Sequence, residues 1–106
     1  MIDFLIGEIE VTRIIDVEGP DFAPFEFFPD CTQEMLEPHL DWLQPRFLDP
    51  NNGKLVFAIQ SYLLHTQHHT ILIDSCIGED KERTRFPEWN LRTDTDYIAK
   101  LATAGV

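Results

Sequence analysis

The run Lys54–Leu64, Lys-Leu-Val-Phe-Ala-Ile-Gln-Ser-Tyr-Leu-Leu, is apolar on both of the faces that an extended strand would present. A solvated antiparallel sheet alternates apolar with polar residues, so a strand like this belongs inside a layered fold in which something covers each side. Asp49-Pro50-Asn51-Asn52-Gly53, dense in turn formers, leads into it. A polar tip, His65-Thr66-Gln67-His68-His69, separates it from a second apolar run, Thr70-Ile71-Leu72-Ile73-Asp74. Two strands joined by a short polar tip read as a hairpin.

The flanking segments supply shorter elements. From Glu8 to Asp16, Ile9, Val11 and Ile15 fall on one side at period two, with Arg13 interrupting, as in a half-buried strand. Gly19-Pro20 is expected to end it, leaving Asp21–Pro29 as a loop that carries Phe22, Phe25, Phe27 and Phe28. Asp30 with Gln33 reads as a capping box ahead of Met35, Leu36, Leu40 and Leu43 at helical spacing. Pro38 removes a backbone donor, which splits that region into two short helical pieces. Ser75–Leu91 lacks periodicity and reads as a long surface loop anchored by Phe86 and Trp89. Thr93 is the expected cap of a last helix with Tyr97, Ile98 and Leu101 on one face, stopped by Ala104-Gly105.

A chain of 106 residues, 43% hydrophobic and 25% charged, has room for one globular core and no more. The apolar faces exceed what three strands and two short helices can cover. Either more of a larger fold or self-association into a homo-oligomer is expected to shield them.

Charge narrows the function. Nineteen acidic against eight basic residues, a net charge of −11, repel phosphate backbones and anionic lipid, so neither nucleic acid nor membrane is an expected partner. No segment approaches a membrane span of about 20 apolar residues, and the N-terminus lacks the basic region of a signal peptide; a cytoplasmic protein is expected. Cys31 and Cys76 form neither a dense disulfide framework nor a C-x-x-C pair, and read as reduced thiols. His65 and His69 would share a face on a helix, but their flanks are β-type and no Glu follows His65. They read as a solvated hairpin tip, and His39 is given no role. Asp74 closes an apolar strand, where a carboxylate can meet backbone amides or a nearby ligand. No G-x-S-x-G elbow and no glycine-rich phosphate loop occurs, so no catalytic residue is assigned.

In order, Gln60-Ser61-Tyr62-Leu63-Leu64, the polar tip, Thr70-Ile71-Leu72-Ile73-Asp74-Ser75-Cys76-Ile77-Gly78 and the helix closing on Ala104-Gly105-Val106 resemble the front of the metallo-β-lactamase-fold hydrolases. Members of that family share a hairpin of the form S-Y-L-L-x-T…T-I-L-I-D-x-G-x-G. Trp42-Leu43-Gln44-Pro45-Arg46-Phe47-Leu48-Asp49 looks closest to the lactonase and phosphotriesterase-like members. Cys76 departs from the glycine usual there.

The resemblance implies an α+β fold of αββα type, with residues 1–106 as its N-terminal portion: a sheet with a hairpin and short helices. It implies a zinc-dependent hydrolase acting on a small-molecule lactone, ester or phosphotriester in the complete domain. The H-x-H-x-D-H motif that supplies most of the metal ligands is absent, so these residues alone are expected to hold no metal and to be inactive. By the same resemblance Asp74 would support the metal pocket without ligating, and Phe22, Phe25, Phe27, Phe28 and Trp42 would border the substrate mouth. The alternative expectation is a free-standing acidic, β-rich binding or assembly module without catalysis.

Overall fold

A computed structural model describes residues 2–106 as a small mixed α+β protein. Strands β1 (Phe4–Ile6), β2 (Ile9–Phe22), β3 (Leu55–His65) and β4 (Thr70–Ile73) form one sheet in that order, with β1–β2 and β3–β4 antiparallel. Four short helices accompany them: α1 (Pro24–Phe27), α2 (Gln33–Leu36), α3 (Leu40–Leu43) and α4 (Tyr97–Thr103). The chain divides into two compact units, one of residues up to 16 together with 59–106, the other of residues 17–58.

The expected hairpin is present. Leu63 pairs with Leu72 and Tyr62 with Ile73, and the tip closes where the Thr66 N–H donates to the His69 carbonyl at 2.9 Å. The tip is less solvated than its composition implies, because the His65 ring reaches the Ala104 carbonyl at the end of α4 (Nε2 to O, 3.3 Å). Both faces of β3 are at least partly covered, with Ser61 and Leu63 buried and no residue of the strand exposed, whereas every residue of β4 is exposed.

Strand β2 differs from its sequence reading in two ways. It continues through Gly19-Pro20 to Phe22, since a proline is tolerated in a strand wherever its missing N–H is not needed by a neighbour. Its burial also follows the expected face only at Val11, which is 2% exposed: from Thr12 onward the even residues Thr12, Ile14 and Asp16 lie inside, while Ile9 and Ile15 are half-exposed. The even face wins because Ile14 packs with Leu63, Tyr97 and Leu101 in the core of the first unit. Burying each of these large side chains contributes about 1.5–3 kcal/mol, and Cys76 and Ala104 pack at the margin.

Helix ends follow local chemistry, with shifted caps. Thr32, not Asp30, caps α2, its hydroxyl accepting the Met35 N–H at 3.3 Å. Pro38 falls in a single 3₁₀ turn, Glu37–His39, that separates α2 from α3 as its missing donor requires. The expected loop at Asp21–Pro29 contains α1, which Pro24 can start because the first helical N–H needs no partner. At α4 the Thr95 hydroxyl, not that of Thr93, accepts the Tyr97 N–H at 3.1 Å. The stop is as read: Gly105 takes φ +96°, and the Gly105 and Val106 N–H groups donate back to Ala102 and Leu101, a Schellman closure.

In the second unit Phe22, Phe27, Phe28 and Phe57 form an edge-to-face aromatic cluster, with Phe27 centred 4.7–5.2 Å from the other three rings. Ser75–Leu91 is irregular as expected, but folded back on itself. The Asp80 N–H meets the Arg92 carbonyl and the Leu91 N–H the Lys81 carbonyl, while Phe86 stacks on Trp89 at 4.8 Å.

Candidate functional site

The polar groups of the first unit converge on the loop that leaves β4. Its backbone is strained at alternate positions: Asp74, Cys76, Gly78 and Asp80 have φ of 70, 60, 80 and 55°. Left-handed residues other than glycine cost free energy and persist where their surroundings over-determine them. Asp74 stabilises its own turn, Oδ1 accepting the Ser75 and Cys76 N–H groups at 2.6 and 2.9 Å.

Ser61 holds this loop from β3. Its side chain is fully buried, and its hydroxyl donates to the Asp74 carbonyl at 3.0 Å. A hydroxyl carries one proton, so the Tyr97 O–H at 2.6 Å and the Cys76 S–H at 3.2 Å both donate into Ser61 Oγ. Burial pushes the Cys76 thiol up from its ordinary 9.0, with the Asp16 and Asp74 charges adding and the Ser61 hydrogen bond opposing. Burial likewise pushes the Tyr97 phenol up from 10.0. Both groups are therefore protonated at neutral pH. The cluster is a clamp of hydrogen-bond donors, and the Cys76 thiol is not activated as a nucleophile.

Asp16 holds the next residue from β2. Its carboxylate is 1% exposed, accepts the Ile77 N–H at 3.3 Å and the Thr95 hydroxyl at 3.2 Å, and pairs with Arg92 Nη2 at 3.0 Å. Burial works against the Arg92 charge, but the hydrogen bond and charge of Asp16, aided by Asp94, outweigh it and raise the guanidinium further. Arg83 Nη2 donates to the Ile77 carbonyl at 2.6 Å. Three residues, Asp74, Cys76 and Ile77, are thus fixed from β2, from β3 and from the returning loop, and Asp74 itself holds Ser75 between them.

Of the residues singled out from sequence, Asp74 sits exposed at the end of β4 in the first unit. The five aromatics belong to the second. Phe22 and Phe28 come together around Phe27, with Phe57 beside them; Phe25 is exposed like Phe27 and Phe28, and exposed Trp42 donates its indole N–H to His39 Nδ1 at 3.2 Å. Sequence reasoning missed Asp16, Ser61, Arg92 and Tyr97 as a polar framework. A signal existed for two of them: Ser61 is a small hydroxyl residue inside an apolar strand, and Asp16 is an acid two residues beyond Ile14.

A groove of about 460 Å³ runs beside β2 and α4, lined by Asp3, Arg13, Ile14, Asp96, Ala99 and Lys100 among others. Its charged groups serve the edge of β2: the Asp3 carboxylate accepts the Arg13 N–H at 2.7 Å, and the Lys100 ammonium donates to the Ile15 carbonyl at 2.6 Å. Such capping blunts an open strand edge.

Among the described residues no three His, Cys, Asp or Glu side chains converge as metal ligands. No described helix is long and apolar enough to cross a membrane. Comparison with protein-family models, curated proteins and solved structures finds no match to this chain.

Proposed function

We propose that the chain forms the N-terminal portion of a metallo-β-lactamase-fold hydrolase, a domain of αββα type that acts with zinc on lactone, ester or phosphotriester bonds. The observation that carries this reading is the loop after β4: within the segment that bears the resemblance, Asp74-Ser75-Cys76-Ile77-Gly78, Ser61 and Asp16 hold Asp74, Cys76 and Ile77, the first two in a strained left-handed conformation. Strain of that kind concentrates at functional sites. In this reading Asp74 buttresses the metal pocket without ligating, and Phe22, Phe25, Phe27, Phe28 and Trp42 border the mouth through which a small-molecule substrate enters. The metal ligands of such a domain are not among these residues, so they carry no catalytic step.

The test is the intact mass of the native protein in its own cell, against 12.3 kDa for these residues. A larger mass, with an H-x-H-x-D-H segment in the added sequence, supports the reading; a native mass of 12.3 kDa overturns it. Metal-dependent turnover of a lactone or aryl phosphotriester by the purified 106-residue chain would overturn its assignment as inactive.

A second reading, a free-standing assembly module, is favoured by one observation: Phe4, Leu5 and Ile6 of β1 and Ile71, Leu72 and Ile73 of β4 are exposed at the two edges of the sheet. Sedimentation of the purified chain decides it, a stable symmetric oligomer supporting self-association and a monomer refuting it.

A further inference from the structure

We infer that the surface formed by residues 25–47 of the second unit docks a cationic amphipathic segment of another protein. This goes beyond the hydrolase reading and does not rest on it; Phe25, Phe27, Phe28 and Trp42 are the residues which that reading sets at the substrate mouth, so a docked segment would cover that mouth. All the exposed large apolar side chains of this unit lie in that one stretch: Phe25, Phe27, Phe28, Met35, Trp42 and Phe47, each 42–59% exposed. They sit on short helical turns pinned by backbone hydrogen bonds such as Phe28 N–H to Pro24 O and Gln44 N–H to Leu40 O. Large apolar side chains exposed so densely along one ordered stretch of chain point to an interaction site. Aromatic and methionine side chains are the residue types that such sites favour.

Charge selects the occupant. Between these apolar residues stand five exposed carboxylates, Glu26, Asp30, Glu34, Glu37 and Asp41, against a single cation, Arg46. That cation already lies over the Phe47 ring at 5.5 Å, so the surface itself shows how a guanidinium or ammonium would rest on its aromatics. A lipid surface rich in anionic headgroups is repelled, as is nucleic acid. A partner that presents leucines on one face and lysines or arginines on the other satisfies both features, its apolar face covering the rings and its cations meeting the carboxylates.

The probe is a fluorescein-labelled synthetic leucine–lysine peptide with leucines at i, i+3, i+4 and i+7, titrated with the whole chain and followed by anisotropy. Binding with a Kd on the order of 10 μM at low salt is expected. The double variant Phe25→Ser, Met35→Ser should weaken it at least about tenfold, equivalent to about 1.4 kcal/mol. The quadruple variant Glu26→Gln, Glu34→Gln, Glu37→Gln, Asp41→Asn should weaken it by a similar factor and flatten its salt dependence. All six positions are exposed, and far-ultraviolet circular dichroism checks that each variant is folded.

In a chain carrying Trp89→Phe, the emission of Trp42 reports the place of binding and should shift to the blue. A lysine–serine peptide of equal charge that binds as well would overturn the inference, since charge alone would then explain the association. So would an unchanged Kd in the Phe25→Ser, Met35→Ser variant, an unmoved Trp42 emission at saturation, or no anisotropy change at about 100 μM protein.

Discussion

Replacing Asp16 by Asn is the sharpest test of how the first unit is held together. The exchange keeps the size of the side chain and removes the charge. Arg92, 12% exposed at its side chain, then keeps a buried positive charge whose main partner is gone, since Asp94 opposite its Nε is 87% exposed and well screened. Breaking a buried ion pair from one side costs about 3–5 kcal/mol. The Ile77 N–H and the Thr95 hydroxyl donate to different oxygens of Asp16, so the single amide oxygen still accepts from one of them while its NH2 faces the other, which adds to the loss. A domain of this size has a total stability of about 5–15 kcal/mol, so the variant should lose a large share of it.

Urea unfolding, followed by circular dichroism, measures that loss. The double variant Asp16→Asn, Arg92→Met should recover part of it, because no unpaired charge remains, with a coupling of about 1–3 kcal/mol between the two sites. A loss below about 1 kcal/mol for Asp16→Asn, or strict additivity in the double variant, would refute the argument that this pair is buried and coupled.

The same geometry sets three further outcomes. Cys76 and Tyr97 both have folded values raised above the ordinary 9.0 and 10.0, so their contribution to stability is fully present below pH 9 and is lost as pH rises through the folded values. A urea midpoint that falls in strongly alkaline buffer, and falls less in the Cys76→Ala and Tyr97→Phe variants, is the expected result. Asp74→Asn should change stability by less than about 0.5 kcal/mol, because Asn tolerates positive φ and its carbonyl can accept the Ser75 and Cys76 N–H groups; Asp74→Ala should cost about 1–2 kcal/mol in the same titration. Gly105→Ala should cost about 1 kcal/mol through backbone strain alone, since a methyl group there meets nothing within 4 Å, and a thermal melt reads it directly.

The features legible in the sequence are those that neighbours in sequence decide. The β3–β4 hairpin can be read because its two apolar runs and polar tip lie within twenty-one residues, Lys54 to Asp74. The stop of α4 can be read because Gly105 supplies the left-handed residue itself. The caps of α2 and α4 each lie two residues from the expected position, because several Ser, Thr and Asp compete there and tertiary partners choose between them: Thr95 is fixed by its bond to Asp16, 79 residues away. The buried face of β2 is hidden from the sequence for the same reason. Ile9, Val11 and Ile15 match a period of two, and Val11 is buried, but Ile14 is the residue that meets Leu63 and Leu101, and no local pattern reveals that Asp16, two residues on, is neutralised by Arg92.

The polar atoms that are hardest to foresee are concentrated on one loop. Burying a carboxylate and a guanidinium is at best neutral for stability when compared with apolar residues of the same size. Left-handed conformations at Asp74 and Cys76 each cost about 1–3 kcal/mol more. A loop whose role was only to connect β4 to α4 would be served by glycine or asparagine at those positions and by an apolar pair in place of Asp16 and Arg92. Instead Ser61 grips residues 74 and 76, Asp16 and Arg83 grip the N–H and the carbonyl of Ile77, and exposed Asp74 stands at the start of the loop with Oδ1 held by the Ser75 and Cys76 N–H groups. The arrangement fixes where one carboxylate stands. That is the property a metal-dependent hydrolase would require of a residue that supports its pocket from behind, and it is why the loop, rather than the histidines at the hairpin tip, carries the functional reading.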